Sequence, residues 1–383
     1  MKSLLFILFF LSSFYCYSQN IKVSAVGDIM AHDNLQYYAL ASENGYETLF
    51  ESLKDIFLSD DITIANFETP VSDEIGVKNF PYFNANTSLV KAIKKSGIEV
   101  ISLANNHSFD QREKGIISTI DAVKKENLIY SGMGLNPKDA KKTAIFNCKG
   151  VIIGFLSATF SVNGISMTEK NDKPYVNLVL MEDDKKFDEF CGEIRDAKKK
   201  VDFLIVAYHS GTEYNRFPSD TQTKCLKKIA DSGADVVLGH HPHVLQKIEY
   251  YNTSDSRKVL IAYSLGNLIS GQSNYLHQYK NKNSALYEEN FTKTAEGVIL
   301  QFEINRWNDK FYISNANVIP LFNLRYIVRI NNKNYSAFKT ELIKNILNID
   351  EKESSIENIS IIKDMVKYRL EKMKELIKIP FNM

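Results

Sequence analysis

The sequence predicts an α/β fold built on buried strands, and three observations predict it. Apolar strand-like runs such as "IKVSAVGD", "DITIANFE" and "ADVVLGHH" alternate with helix-like segments such as "REKGIISTIDAVKKENL". Runs that are apolar throughout suit strands covered on both faces. Polar residues follow directly on the ends of these runs, and in α/β architectures ligands bind beyond the carboxyl ends of strands. The composition, 44% hydrophobic and 24% charged with a formal net charge of +1, shows no bias toward disorder. Near-neutral charge also gives no electrostatic reason to expect a nucleic-acid partner.

The first element is a leader. Residues 1–19 carry Lys2, an unbroken apolar run from Leu4 to Leu11, and a polar end at Ser18 and Gln19. That is the pattern of a secretory signal peptide, and the apolar run is short for a membrane span. The mature, exported protein is expected to start near Gln19 or Asn20, with an uncleaved anchor as the alternative. Cys16 follows the bulky Tyr15, where a lipoprotein signal would carry a small residue.

The elements after it read in order. "IKVSAVGD" is a strand ending at Asp28 and "DITIANFE" one ending at Glu68. "NTSLVKAIKKSG" is a short helix with an Asn or Thr cap and a Gly stop. "IEVISLANNH" is a strand running into Asn105, Asn106 and His107, followed by the helix "REKGIISTIDAVKKENL". "AIFNCKGVIIGFLSAT" reads as two strands around a turn at Lys149-Gly150. "MEDDKKFDEFCGEIRDAKKK" is an amphipathic helix, "VDFLIVAYH" a strand ending at His209, and "TQTKCLKKIADSG" a helix with a Gly stop. "ADVVLGHH" and "KVLIAYSLGN" are further strands. From Glu296, "EGVILQFEINRWNDKFYISNANVIPLFN" reads as a β-hairpin turning at Asn308-Asp309, and two Lys- and Glu-rich helices follow beyond Tyr335. The expected organisation is a main domain over 20–272 and an extension over 273–383 packed on it. Outside the leader, Cys148, Cys191 and Cys225 form no disulfide framework and no Cys-x-x-Cys pair, so buried free thiols are expected, with one bridge left open.

The chemistry is concentrated at strand ends. "GADVVLGHHPHVLQ" places His240, His241 and His243 within four residues, in a chain with seven histidines. His241-Pro242-His243 can put two rings on one face of an extended segment, because side chains alternate. His240 would then point away, unless the backbone turns sharply after Gly239. Carboxylates, imidazoles and an Asn oxygen suit divalent ions such as Mn²⁺, Fe²⁺ or Zn²⁺. Alone, each member has a bland explanation: "GD" as a turn, "NNH" as a helix cap, Glu213 as surface, His32 as loop. Their joint placement after apolar strands points to one shared site.

The ordered motifs "AVGDIM", "IANFETP", "SLANNHSFD", "AYHSGTEY", "GADVVLGHHPHVLQ" and "YSLGN" resemble those of the CapA-like family of poly-γ-glutamate capsule biosynthesis proteins, relatives of the calcineurin-like metallophosphoesterases. The resemblance spans roughly Ile21 to Gln272. It implies a four-layer α/β-β/α sandwich, followed here by the β-hairpin and helical extension. It implies one or two divalent metal ions held by Asp28, Glu68, Asn106, His209, His241 and His243. His107 would be the proton donor, oriented by Asp110. Asn66, Asn105, Glu213, His240 and Asn267 would support these ligands or touch substrate. Two departures weaken strict two-metal chemistry: Met30 stands where phosphoesterases carry a histidine, and Glu68 replaces the bridging aspartate. The implied function is an exported metal-dependent hydrolase-type protein in capsule or envelope polymer biosynthesis. Its partners would be the polymer or a phosphorylated or γ-glutamyl precursor, and membrane synthase or exporter subunits. A non-catalytic, metal-containing accessory or polymer-binding subunit is the alternative.

Overall fold

The computed structural model describes residues 20–278, 290–308, 310–351 and 359–383. The leader expected at residues 1–19, and Asp309 of the expected turn, lie outside the described residues. Two sheets face each other. The first holds parallel strands β1 (Ile21–Ile29), β2 (Ile62–Phe67), β3 (Val100–Ser102) and β4 (Ile129–Ser131). The second holds β5 (Ala144–Cys148), β6 (Val151–Thr159), β7 (Phe203–His209), β8 (Val236–His240), β9 (Ile248–Asn252) and β10 (Lys258–Ala262), in the order β9-β10-β8-β7-β6-β5. The chain then returns to the first sheet. A short β11 (Asn267–Ile269) runs parallel to β1, and β12 (Glu296–Trp307), β13 (Lys310–Ile330) and β14 (Lys333–Leu342) extend the sheet beyond β1 as an antiparallel set.

The layers follow from which faces are apolar. Val23, Ile64 and Val100 of the first sheet meet Phe155, Ile205 and Val236 of the second in a central core. The outer face of the first sheet buries Val26, Ala65 and Ile101 against α1 (Asp33–Ala41), α2 (Lys54–Ser59), α3 (Ser88–Lys95) and α4 (Arg112–Lys125). The outer face of the second buries Leu204, Val206 and Val237 against α5 (Asp184–Lys198) and α6 (Asp220–Asp231). The result is the expected helix–sheet–sheet–helix sandwich, each central strand covered on both sides. Cys148, Cys191 and Cys225 are free thiols, the last two buried.

The C-terminal segment differs in one respect. The Lys- and Glu-rich texture beyond Tyr335 suggests helix, yet the chain is strand as far as Leu342. Asn331 and Asn332 take positive φ, 47° and 63°, the conformation of a tight two-residue hairpin turn, and they fold β14 back on β13. Only then come α7 (Ile343–Asn348) and α8 (Ile359–Leu376). Ile362, Met365, Val366 and Met373 of α8 belong to the central core. Among the described residues no helix is long and apolar enough to cross a membrane.

Candidate metal centre

The site lies where the carboxyl ends of β1, β2 and β3 face those of β7 and β8. Two close backbone approaches fix this end. A Cβ at Gly27 would lie 1.9 Å from the carbonyl oxygen of Gly266, and one at Gly239 would lie 2.1 Å from that of Tyr263. Only glycine lets β1 and β8 sit this near the segment that follows β10 while presenting Asp28 and His240.

Asp28 and Glu68 are fully buried and joined through one amide. Asn66 Nδ2 donates to Asp28 Oδ1 at 2.8 Å and to Glu68 Oε2 at 3.1 Å. Across the gap between the sheets, His240 Nδ1 lies 3.0 Å from Asp28 Oδ1, and His209 Nε2 lies 2.8 Å from Asn106 Oδ1 and 3.4 Å from Glu68 Oε1. His243 places Nδ1 3.1 Å from Asp28 Oδ2 and Nε2 3.6 Å from Glu68 Oε1. Its Nδ1 is also 3.2 Å from Asn267 Oδ1.

Two sets of donors emerge, each with its atoms within 4.8 Å of one another: Asp28, Glu68 and His209; and Glu68, His241 and His243. Glu68 belongs to both. Asp28 Oδ2, Glu68 Oε1, Asn66 Oδ1 and His241 Nδ1 are buried without a hydrogen-bond partner. Buried polar atoms ordinarily have one. Orphaned carboxylate and imidazole atoms that converge within metal-ligand reach fit a divalent cation.

The electrostatics are those of crowded charge out of water. Burial pushes Glu68 up to about 8, despite the neighbouring His243. Burial would raise Asp28 too, but the His240 and His243 imidazoles beside it outweigh that and hold the carboxyl well below its usual range. Burial drives His209 and His241 well below the ordinary imidazole value. For His243, burial is overcome by the Glu68 and Asp28 charges, which raise it to about 9.

His107 stands apart from both donor sets. Its Nδ1 lies 2.8 Å from Asp110 Oδ2, which also accepts the Phe83 amide at 2.7 Å. The Phe83 ring packs edge-on against the imidazole, centroids 4.7 Å apart. Burial raises Asp110, offset in part by the hydrogen bond with His107. Asn105 builds the turn: its Oδ1 accepts the His107 amide at 3.2 Å and its Nδ2 donates to the Phe67 carbonyl at 2.8 Å.

The structure therefore gathers Asp28, Asn66, Glu68, Asn106, His209, His240, His241, His243 and Asn267. Glu213 is exposed on its loop and enters neither donor set. His32 also stays outside them: its Nδ1 accepts the Gly271 amide at 3.1 Å, and burial lowers it to about 4. The expectation that His240 points away is corrected. β8 ends at His240, on the inward face of the strand with Val236 and Leu238, and positive φ at His241 (99°) and His243 (54°) turns the backbone so that their rings enter the site as well. Sequence reasoning missed Asn163. Its Oδ1 accepts from Asn106 Nδ2 at 3.1 Å, and its Nδ2 lies 3.3 Å from His107 Nδ1. It follows β6 by four residues, so the strand-end rule itself could have found it.

A family model described as bacterial capsule synthesis protein PGA_cap matches residues 22–272. The chain is 32% identical over 295 residues to the PGA biosynthesis protein CapA of Bacillus subtilis (strain 168), covering 76% of this chain and 70% of that protein. It is 30% identical over 297 residues to the capsule biosynthesis protein CapA of Bacillus anthracis, covering 75% of this chain and 64% of that one. A Mycobacterium tuberculosis (strain CDC 1551 / Oshkosh) relative named "Probable polyglutamine synthesis accessory protein" is 24% identical over 197 residues, 50% of this chain and 52% of its own. Among solved structures, a hypothetical protein from Thermus thermophilus aligns with a TM-score of 0.42 at 16% identity, covering 78% of this chain and 99% of that one.

Proposed function

The chain belongs to the PGA_cap family of bacterial capsule synthesis proteins, and from that premise we propose that it is an exported, metal-dependent hydrolase-type protein acting in poly-γ-glutamate capsule or envelope polymer biosynthesis. The observation that carries this reading is the shared carboxylate: Glu68 is common to two buried donor sets and accepts no hydrogen bond at Oε1. Asp28, Glu68 and His209 would hold one ion, and Glu68, His241 and His243 a second, with Glu68 between them. Asn106, whose Oδ1 faces His209, would complete the first set. A bound divalent ion supplies a lowered water pKa and a polarised phosphoryl or acyl oxygen.

The chain's own residues do the rest. Asn66 ties the two carboxylates together and fixes their spacing. Asp110 holds His107 by Nδ1, which leaves Nε2 as the nitrogen free to hand a proton to a leaving group. The Phe83 amide and ring prevent that pair from rotating away. The substrate would be the polymer, or a phosphorylated or γ-glutamyl precursor, and membrane synthase or exporter subunits would be its partners. Residues 1–19 would direct export, so N-terminal sequencing of cell-derived protein should find a start near Gln19 or Asn20. A cytosolic chain starting at Met1 would reject export.

A second reading has two observations in its favour. Met30, where phosphoesterases carry a histidine, is buried and offers only a weak thioether, and one relative is named an accessory protein. In that reading the same centre is a metal-containing accessory or polymer-binding subunit without turnover. The deciding experiment measures metal content and hydrolysis of bis-p-nitrophenyl phosphate and γ-glutamyl anilides by wild type and Glu68→Ala. Metal-dependent turnover lost in Glu68→Ala supports the hydrolase. Bound metal with no turnover favours the accessory subunit, and no bound metal sinks both.

A further inference from the structure

The chain contains one tryptophan, and it is not in the core. Trp307 is 70% exposed at the tip of the β12–β13 hairpin. Register explains what surrounds it. Trp307 pairs with Lys310 and Asn305 pairs with Tyr312, so Trp307, Lys310 and Tyr312 share one face of the ribbon. Tyr312 is 47% exposed. The opposite face carries Phe311 and Ile313, which pack on the central core. The tip thus presents an indole, a phenol and an ammonium outward together.

The position of this face gives it an occupant. β12 runs antiparallel to β1 with Ile304 opposite Ile21, so residues after Ile304 pass beyond the point where β1 begins. Trp307 is three residues further, about 10 Å at the rise of a strand. The chain enters β1 from that same direction, out of the leader with its apolar run Leu4 to Leu11. Ten residues separate Leu11 from Ile21, a reach of at most about 35 Å. Whenever that run lies in a bilayer, the hairpin tip is therefore held close to the lipid surface. Tryptophan and tyrosine favour the headgroup region of bilayers, and nearby lysines favour anionic lipid.

We infer that the Trp307–Lys310–Tyr312 face of the hairpin is a docking surface for an anionic phospholipid membrane. The candidate metal centre lies at the carboxyl ends of the strands, the end opposite to this tip. Docking in this way leaves the centre facing away from the bilayer. The inference rests on residues 1–19 staying in place as an uncleaved anchor, the alternative to cleavage near Gln19 or Asn20.

Trp307 reports on its own surroundings, because no other indole contributes. The full chain is mixed with vesicles of phosphatidylethanolamine and phosphatidylglycerol, some bearing bromine-labelled shallow acyl chains. The expected result is co-flotation with a blue-shifted emission, quenching by the labelled lipid, and a several-fold loss of quenching by aqueous iodide. A Trp307→Phe, Phe217→Trp variant moves the probe to the exposed loop after β7, at the centre's end, and should stay open to iodide and untouched by labelled lipid. If the chain floats but Trp307 stays as open to iodide as in buffer, the docking surface is wrong and the leader reading survives. If the chain does not float, both fall. Equal lipid quenching at both positions overturns the inference in favour of unoriented adsorption.

Discussion

Two buried clusters of charge in this protein are resolved in opposite ways. In the first, Glu296 is fully buried at the start of β12, and its two oxygens are taken by two guanidinium groups. Arg216 comes from the loop after β7 and Arg369 from α8. The carboxylate is satisfied from within the chain, and the result ties the loop that follows His209 to the C-terminal helix. In the second, Asp28 and Glu68 crowd together among four imidazoles, yet Asp28 Oδ2 and Glu68 Oε1 accept no hydrogen bond. Both clusters bear the cost of removing charge from water. A carboxylate filled by its own chain builds architecture, whereas carboxylates with unfilled oxygens form a donor set that could hold a cation.

The largest expected effect tests the architectural side. Glu296→Gln leaves the buried Arg369 and the part-buried Arg216 without their counter-ion and should cost about 3–5 kcal/mol in denaturant unfolding. Glu68→Gln in metal-free protein removes a carboxylate that burial already disfavours, and should cost less than about 1 kcal/mol or stabilise. Equal losses would break the comparison.

Next comes the cation. A divalent ion at about a hundred times its dissociation constant should raise wild-type stability by about 2.7 kcal/mol. Thermal unfolding with and without chelator measures this, and Glu68→Gln should show almost none of it. A gain of the same size in Glu68→Gln would place binding elsewhere.

The third prediction separates ligands from the proton donor. His209→Ala should lower metal affinity by at least about tenfold, since even supporting residues are worth about 10–100-fold. His107→Ala should leave metal content nearly intact, and reduce any turnover by about 10²–10⁴-fold. Loss of metal in both variants alike would overturn the role given to His107.

The smallest effect is in protons. Glu68, near 8, and His243, near 9, both retain protons at pH 7 in the metal-free protein. A cation must displace them, so binding should release about one to two protons and tighten as pH rises from 6 to 8. Calorimetry in buffers of different ionisation enthalpy reads the proton count. Uptake instead of release, or an affinity that is flat with pH, would contradict the charge state described here.

The sequence by itself determined the sandwich and pointed to the strand-end side chains that form the candidate centre. Strands covered on both faces must be apolar throughout, so β1, β2, β7 and β8 stand out, and their polar successors Asp28, Glu68, His209 and His240–His243 follow at fixed positions. Local propensity was less reliable where tertiary pairing overrode it: the Lys- and Glu-rich stretch after Tyr335 became β14 because an Asn-Asn turn delivered it to an open strand edge. Tertiary structure alone decided three further things. The rings of His241 and His243 joined that of His240 because the backbone takes positive φ at both, which alternation along a strand cannot express. Asn163 reached His107 because β6 lies across the gap from β3, a proximity between residues far apart in the chain. Glu68 became common to both donor sets because the second sheet brings His209, at the end of β7, and the His241–His243 pair, after β8, to one carboxylate of the first sheet. Residue type and strand position are local properties of the chain, but which lone pairs remain unfilled depends on every element packed around them.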